Sequence, residues 1–105
     1  MNKGDIVLIP FPFTDLSGNK NRLAVVLFHH EDDVTVCFIT SNINNPSNFD
    51  LLIEPSALNG LKKTSLIRVN KLATVDIDLI LGLLGRLEET QYKLLISKLI
   101  ELFHT

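Results

Sequence analysis

KGDIVLIPFPFTDLSGNKNR, residues 3–22, sets an apolar strand beside a polar, turn-rich loop and ends on one arginine. Asp5 to Phe13 alternates imperfectly and is rich in Ile, Val and Phe, so it opens as a β-strand. Pro10 and Pro12 lack the amide hydrogen that a ladder needs, which predicts an extended edge in the second half of the segment. Thr14 to Asn21 contains Asp, Ser, Gly and Asn, whose side-chain hydrogen bonds or tolerance of positive φ favour turns. The segment reads as a polar, exposed and mobile loop that delivers Arg22 to the next strand. An arginine at such a junction is well placed to meet a phosphate.

Working outward, Leu23 to Phe28 and Val34 to Ile39 are apolar, β-branched runs separated by His29-His30-Glu31-Asp32-Asp33, the layout of a hairpin with a longer loop. Asn42 to Asn48 holds four asparagines with Pro46 and Ser47, and reads as a second exposed loop. Leu51 to Ile53 is a short strand, and Asn59-Gly60 signals a turn. Thr64 to Val69 then alternates with period two, which specifies a strand. Lys71 to Val75 is read as another short strand, and Asp76 to Leu81 as a helical turn with Asp76 at its N-cap. Gly82 and Gly85 flank a short apolar link. From Glu88 to Phe103 the apolar residues Tyr92, Leu95, Ile96, Leu99 and Phe103 recur at steps of three and four, which defines one helical face. Many short strands and one terminal helix predict a mainly β fold: a small, strongly bent antiparallel sheet or partly open barrel.

At 105 residues the chain fits a single domain, residues 1–105, with room for one modest core. A domain of this size buries roughly 60 to 70% of its unfolded surface, so dimerisation is an economical way to cover remaining apolar area. Neither a basic leader nor an apolar run near the roughly 18 residues that span a bilayer is present, which predicts a soluble, cytoplasmic protein with no membrane partner. The lone cysteine, Cys37, excludes an internal disulfide framework and a multi-cysteine zinc site, and its setting in VTVCFIT makes it a strand-core residue. The net charge of −2 and pI near 5.8 argue against holding long nucleic acid by electrostatics alone. Charge is nevertheless uneven: Lys62, Lys63, Arg68 and Lys71 fall in one segment without an acid, while Glu31, Asp32 and Asp33 cluster elsewhere. The basic segment is read equally as a local binding surface or as a solvated face.

The opening stretch, Lys3-Gly4-Asp5-Ile6-Val7 followed by Pro10-Phe11-Pro12-Phe13-Thr14-Asp15, resembles the start of the MazF/PemK family of toxin endoribonucleases. The likeness continues in order through Arg22-Leu23-Ala24-Val25-Val26-Leu27, Phe38-Ile39-Thr40-Ser41 and Gly60 to Val69 leading into Lys71-Leu72, and so covers nearly the whole chain. It implies an SH3-like barrel with a C-terminal helix, commonly homodimeric. The implied activity is metal-independent cleavage of single-stranded RNA with no cofactor, in which the ribose 2′-hydroxyl attacks the adjacent phosphate. The products are a 2′,3′-cyclic phosphate and a 5′-hydroxyl. A small cognate antitoxin that covers the RNA groove is the implied protein partner.

Within that resemblance Arg22 matches the family arginine at the start of the second strand. Its planar fork suits bidentate contact with phosphate oxygens. A guanidinium, with an ordinary pKa of roughly 12.5 or above, is a poor acid near neutrality, so its expected role is electrostatic. The family usually follows this arginine with proline, which restricts the preceding residue to extended conformations; here Leu23 follows. Thr40 matches the family threonine at the end of its Ile-Thr strand, where a hydroxyl can donate to a phosphate oxygen. Ser41 stands beside it, and a Thr-Ser pair at a strand end is also a common capping feature. Asp15 is a candidate to orient Arg22 or a base, although an Asp in a Gly-containing loop is more commonly a turn residue. Asn42 belongs to a loop whose amides can read exposed base edges. Ser65 and Arg68 lie in the later motif as candidates for RNA-backbone contact, with strand and surface roles as equal competitors. His29 and His30 sit at a hairpin tip before three acids and read as a solvated turn. From a different class, a non-catalytic binding module remains the alternative, since related gyrase-poisoning toxins share this barrel and act by protein contact.

Overall fold

Described in the computed structural model are residues 1–11 and 20–104. Six strands, β1 (Asp5–Phe11), β2 (Lys20–His30), β3 (Asp33–Thr40), β4 (Asp50–Ile53), β5 (Ser65–Asp76) and β6 (Gly82–Arg86), precede one helix, α1 (Glu89–His104). They form a single sheet in the order β4-β5-β3-β2-β1-β6, each neighbouring pair antiparallel. The sheet curls into a half-barrel with β4 and β6 at its two ends, which is the expected mainly β, partly open barrel with a C-terminal helix.

In β1 the residues from Ile6 to Phe11 pair with β2, but β6 pairs only with Asp5 to Leu8. Pro10 therefore sits where β1 has a neighbour on one side, and its missing amide hydrogen costs no ladder bond. The β2–β3 hairpin is tighter than its composition predicts. His29 and His30 stay in the ladder opposite Val34 and Asp33, leaving Glu31 and Asp32 as the turn, with Glu31 at φ 55°. Polar residues at the exposed end of a strand look like loop in a sequence, because no apolar alternation marks them.

A second difference lies in β5, which is one long strand where two short ones are expected. Cys37 pairs with Leu72 while its neighbour Phe38 pairs with Arg68, so Val69, Asn70 and Lys71 form a three-residue bulge. An odd insertion reverses which face each later residue occupies. Ile67 and Val69 enter the core beneath the helix, whereas Ala73 and Val75 beyond the bulge join the apolar cluster on the other face.

Two clusters follow from this arrangement. One packs Val25, Cys37, Ile39 and Ile67 against Leu95 and Leu99 of α1, and the Tyr92 hydroxyl donates to the Leu27 carbonyl at 3.1 Å. Burying a leucine such as Leu95 stabilises by about 1.5–3 kcal/mol. Burial pushes the Cys37 thiol up to about 12, as expected for an inert core residue. The other cluster joins Val7, Val26 and Val36 to Ile77, Leu79 and Ile80 around a 3-10 turn, Ile77–Leu79. Asp76 caps that turn by accepting from the Asp78 amide at 2.8 Å, as its sequence position predicts.

Residues 82–86, read as a link, pair with β1 as the edge strand β6. A Cβ at Gly85 would collide with the Leu58 carbonyl oxygen, so glycine is what lets the 56–61 segment press against β6. On the helical face Leu95 and Leu99 are buried and Tyr92 and Ile96 partly buried, while Phe103 at its end is 71% exposed.

Candidate functional site

Between β2, β3 and β5 lies a cleft of about 680 Å³. Lys20 and Arg22 come from β2, Thr40 from the end of β3 and Asn42 from the loop after it. Arg68, Asn70 and Lys71 come from β5, and Phe38, Ile39, Leu72 and Ala73 supply the apolar part of the lining.

The ladder brings the two leading candidates together. Leu23 pairs with Ile39 and Ala24 with Phe38, so one step further along the strands Arg22 stands at the level of Thr40. Arg22 also pairs with Ile9 of β1, which holds its backbone extended. The Thr40 hydroxyl oxygen accepts from the Asn42 amide at 3.1 Å, and Asn42 Oδ1 accepts from the Asn44 amide at 3.2 Å. These two turns direct the chain out of β3 and fix Asn42 at the rim. Because Thr40 Oγ1 is the acceptor there, its O–H remains available to donate.

The β5 bulge supplies the third wall. Arg68 precedes it and Asn70 and Lys71 lie within it, so the irregularity that breaks the strand's alternation furnishes two polar side chains beside the paired Arg68. Arg68 Nε lies 3.1 Å from Asp50 Oδ1, and Asp50 Oδ2 accepts from the Ser47 amide at 2.7 Å. Lys20, Arg22, Arg68 and Lys71 together place four cations around the cleft, and none of its described lining residues is acidic. On a chain of net charge −2 this concentrates positive potential at one place, which attracts a polyanion.

Other candidates separate from this group. Ser65 is buried and its hydroxyl donates to the Lys63 carbonyl at 2.8 Å, so it holds the turn before β5 and does not line the cleft. Ser41 is exposed beside the cleft without lining it. Asp15 lies outside the described residues. Lys62 and Lys63 are exposed away from the cleft, so only Arg68 and Lys71 of the basic segment contribute. Lys20, Asn70 and Asp50 were not singled out from the sequence. Lys20 and Asn70 become visible only through the extension of β2 along β1 and the β5 bulge, and Asp50 looks like an ordinary turn acid next to Phe49. Among the described residues no group of three or more His, Cys, Asp or Glu side chains could hold a metal ion. Among them, too, no helix is long and apolar enough to cross a membrane.

Comparison with known proteins gives a consistent result. The family model for the PemK-like, MazF-like toxin of type II toxin-antitoxin systems matches residues 2–103. No match is found among curated proteins. Similar solved structures include the Mycobacterium tuberculosis toxin MazF-mt6, 19% identical, with a TM-score of 0.75 over 95% of this chain and 96% of that one. A mycobacterial endoribonuclease in complex with its cognate antitoxin is 13% identical, with a TM-score of 0.78 over 99% and 95% of the two chains. The MazF component of a MazE-MazF structure from Deinococcus radiodurans is similar as well, 18% identical with a TM-score of 0.75 over 98% and 94%.

Proposed function

The chain belongs to the PemK-like, MazF-like toxin family of type II toxin-antitoxin systems, and we propose that it is an endoribonuclease that cuts single-stranded RNA in the cleft between β2, β3 and β5. The observation that carries this reading is the meeting of Arg22 and Thr40 in a cleft ringed by four cations. In the proposed reaction the ribose 2′-hydroxyl loses its proton and attacks the adjacent phosphorus, the bond to the 5′-oxygen breaks, and that oxygen takes up a proton, leaving a 2′,3′-cyclic phosphate and a 5′-hydroxyl. Negative charge grows on the non-bridging oxygens as the new bond forms. A guanidinium and a hydroxyl aimed at those oxygens bind the transition state more strongly than the substrate. Arg22 supplies the charge and the fork, and the Thr40 O–H supplies a further donor. Neither requires a metal.

Leu23, which replaces the usual family proline, is compatible with this role. It pairs with Leu8 on one side and Ile39 on the other and packs against the core beneath the helix. Its ladders on both sides, with the pairing of Arg22 to Ile9 of β1, favour at Arg22 the extended backbone that proline would have imposed. A cognate antitoxin over the cleft and pairing of two copies belong to the same proposal, as does action on RNA in the cytoplasm. Exposed Leu81 and Leu83 beside the open edge of β6 offer apolar area that pairing would cover.

The direct test is incubation of the purified protein with a long unstructured RNA in EDTA, followed by mapping of cut sites and end chemistry. Discrete cuts ending in 2′,3′-cyclic phosphate and 5′-hydroxyl are expected. No cutting across diverse RNAs would overturn the nuclease reading and leave a binding module of the same fold.

A further inference from the structure

Asp50 carries the strongest signal outside the residues already given a role. Its side chain is only 2% exposed, yet it is a carboxylate at the start of the short edge strand β4. Oδ1 lies 3.1 Å from Arg68 Nε, across the β4–β5 ladder in which Asp50 and Arg68 are direct partners. That contact is one of charges without the alignment of a hydrogen bond, and neither atom has a hydrogen-bond partner among the described residues. The other oxygen, Oδ2, is held by the Ser47 amide at 2.7 Å, while the Asp50 amide returns a bond to the Ser47 carbonyl at 3.1 Å. One buried carboxylate therefore ties the asparagine-rich loop to an arginine on the wall of the cleft.

Desolvating a carboxylate is costly, and a surface pair between flexible side chains contributes little to stability. Such a pair has a clearer use in fixing a side chain. Arg68 is 37% exposed and lines the cleft, so its guanidinium is anchored at one nitrogen by a buried group and reaches solvent elsewhere. Anchoring through Nε leaves the two Nη nitrogens, the edge that grips a phosphate bidentately.

We propose that Asp50 is a positioning residue that pins Arg68 through Nε, presenting the rest of the guanidinium to a backbone phosphate of the RNA strand. This rests on the nuclease reading above, and assigns Arg68 a binding role distinct from the charge stabilisation given to Arg22. The clamp also makes the Ser47 turn and the Arg68 wall move as one unit, so the loop carrying Asn42 keeps a fixed distance from the phosphate contact.

The sign of one substitution tests it. Asp50→Asn keeps the shape and an acceptor for the Ser47 amide, but removes a negative charge beside Arg68. If Asp50 only neutralised Arg68, its removal would tighten RNA binding. If Asp50 positions Arg68, its removal weakens binding despite the gain in net positive charge. Binding is measured by fluorescence anisotropy on a single-stranded RNA carrying the mapped cut sequence with a 2′-deoxy sugar at the cut nucleotide, which cannot be cleaved. Weakening of about tenfold is expected, with a matching rise in KM on the cleavable RNA. Arg68→Lys keeps a cation for Asp50 but lacks the fork, and in that background Asp50→Asn is expected to have little further effect. A change in Asp50→Asn that is additive with Arg68→Lys, or binding that is unchanged or tighter, overturns the clamp while leaving the nuclease intact. A wild-type protein that neither binds nor cuts RNA overturns both.

Discussion

Two hollows share the residue Leu72 and differ in almost everything else. The cleft between β2, β3 and β5 is ringed by Lys20, Arg22, Arg68 and Lys71 with Thr40 and Asn42 at its rim. The hollow beside α1, about 380 Å³, is lined mainly by Leu27, Phe28, Tyr92, Ile96, Leu99 and Phe103. One strand serves both. Arg68 before the β5 bulge, Asn70 and Lys71 within it and Ala73 beyond it line the cleft, and Leu72 lines both the cleft and the apolar hollow. A regular strand keeps one chemical character per face; a three-residue bulge lets a single strand change its allegiance midway. Under the proposed function, chemistry on phosphate is assigned to the first hollow, and stability and contacts with other apolar surfaces to the second.

The sharpest way to break this division is to damage each region and ask which property fails. Arg22→Ala should lower RNA cutting by about 10²- to 10³-fold, the usual cost of removing one donor from a developing oxyanion, while the melting temperature changes little. Leu95→Ala, beneath the helix, should do the opposite. It should lower stability by about 2–5 kcal/mol, measured by urea denaturation, and leave kcat unchanged at temperatures where the protein is still folded. Activity lost in step with stability in both variants would erase the distinction.

A smaller effect sharpens the same comparison. If all four cations of the cleft meet phosphates, log affinity for a single-stranded RNA should fall with log salt at a slope of roughly −3. Lys71→Ala should flatten that slope by about 0.7, and the exposed Lys93 of α1 replaced by alanine should leave it alone. Equal flattening by the two variants would indicate diffuse attraction with no preferred cleft.

The residues that were legible in the sequence were those whose surroundings are local. Enrichment in Ile, Val and Phe marked the start of β1, apolar β-branched runs marked the core of the β2–β3 hairpin, period-two alternation marked Thr64 to Val69, and the three-and-four spacing from Tyr92 to Phe103 marked α1. Asp76 was visible as a cap because its partner, the Asp78 amide, is two residues away. What stayed hidden depends on distant pairing. The bulge at Val69 to Lys71 split β5 into two apparent strands, since a reversal of parity in one strand looks the same as a boundary between two. Residues Gly82 to Arg86 carry exposed leucines between glycines, and only β1 makes them a strand. Arg22 and Thr40 were found by resemblance, and the ladder explains why they meet. Ser65 was a reasonable candidate by type, but its hydroxyl is consumed by the Lys63 carbonyl. Asp50 gave no signal at all, because its significance lies in a buried contact across strands.

The central claim is that RNA occupies the cationic cleft and not the apolar hollow. It is tested most directly by following backbone amide chemical shifts of ¹⁵N-labelled protein during titration with the 2′-deoxy RNA. The largest changes are predicted at Lys20, Arg22, Thr40, Asn42, Arg68, Asn70 and Lys71, with Tyr92 to Phe103 unmoved. Changes concentrated between Tyr92 and Phe103, with Arg22 and Thr40 still, would contradict it.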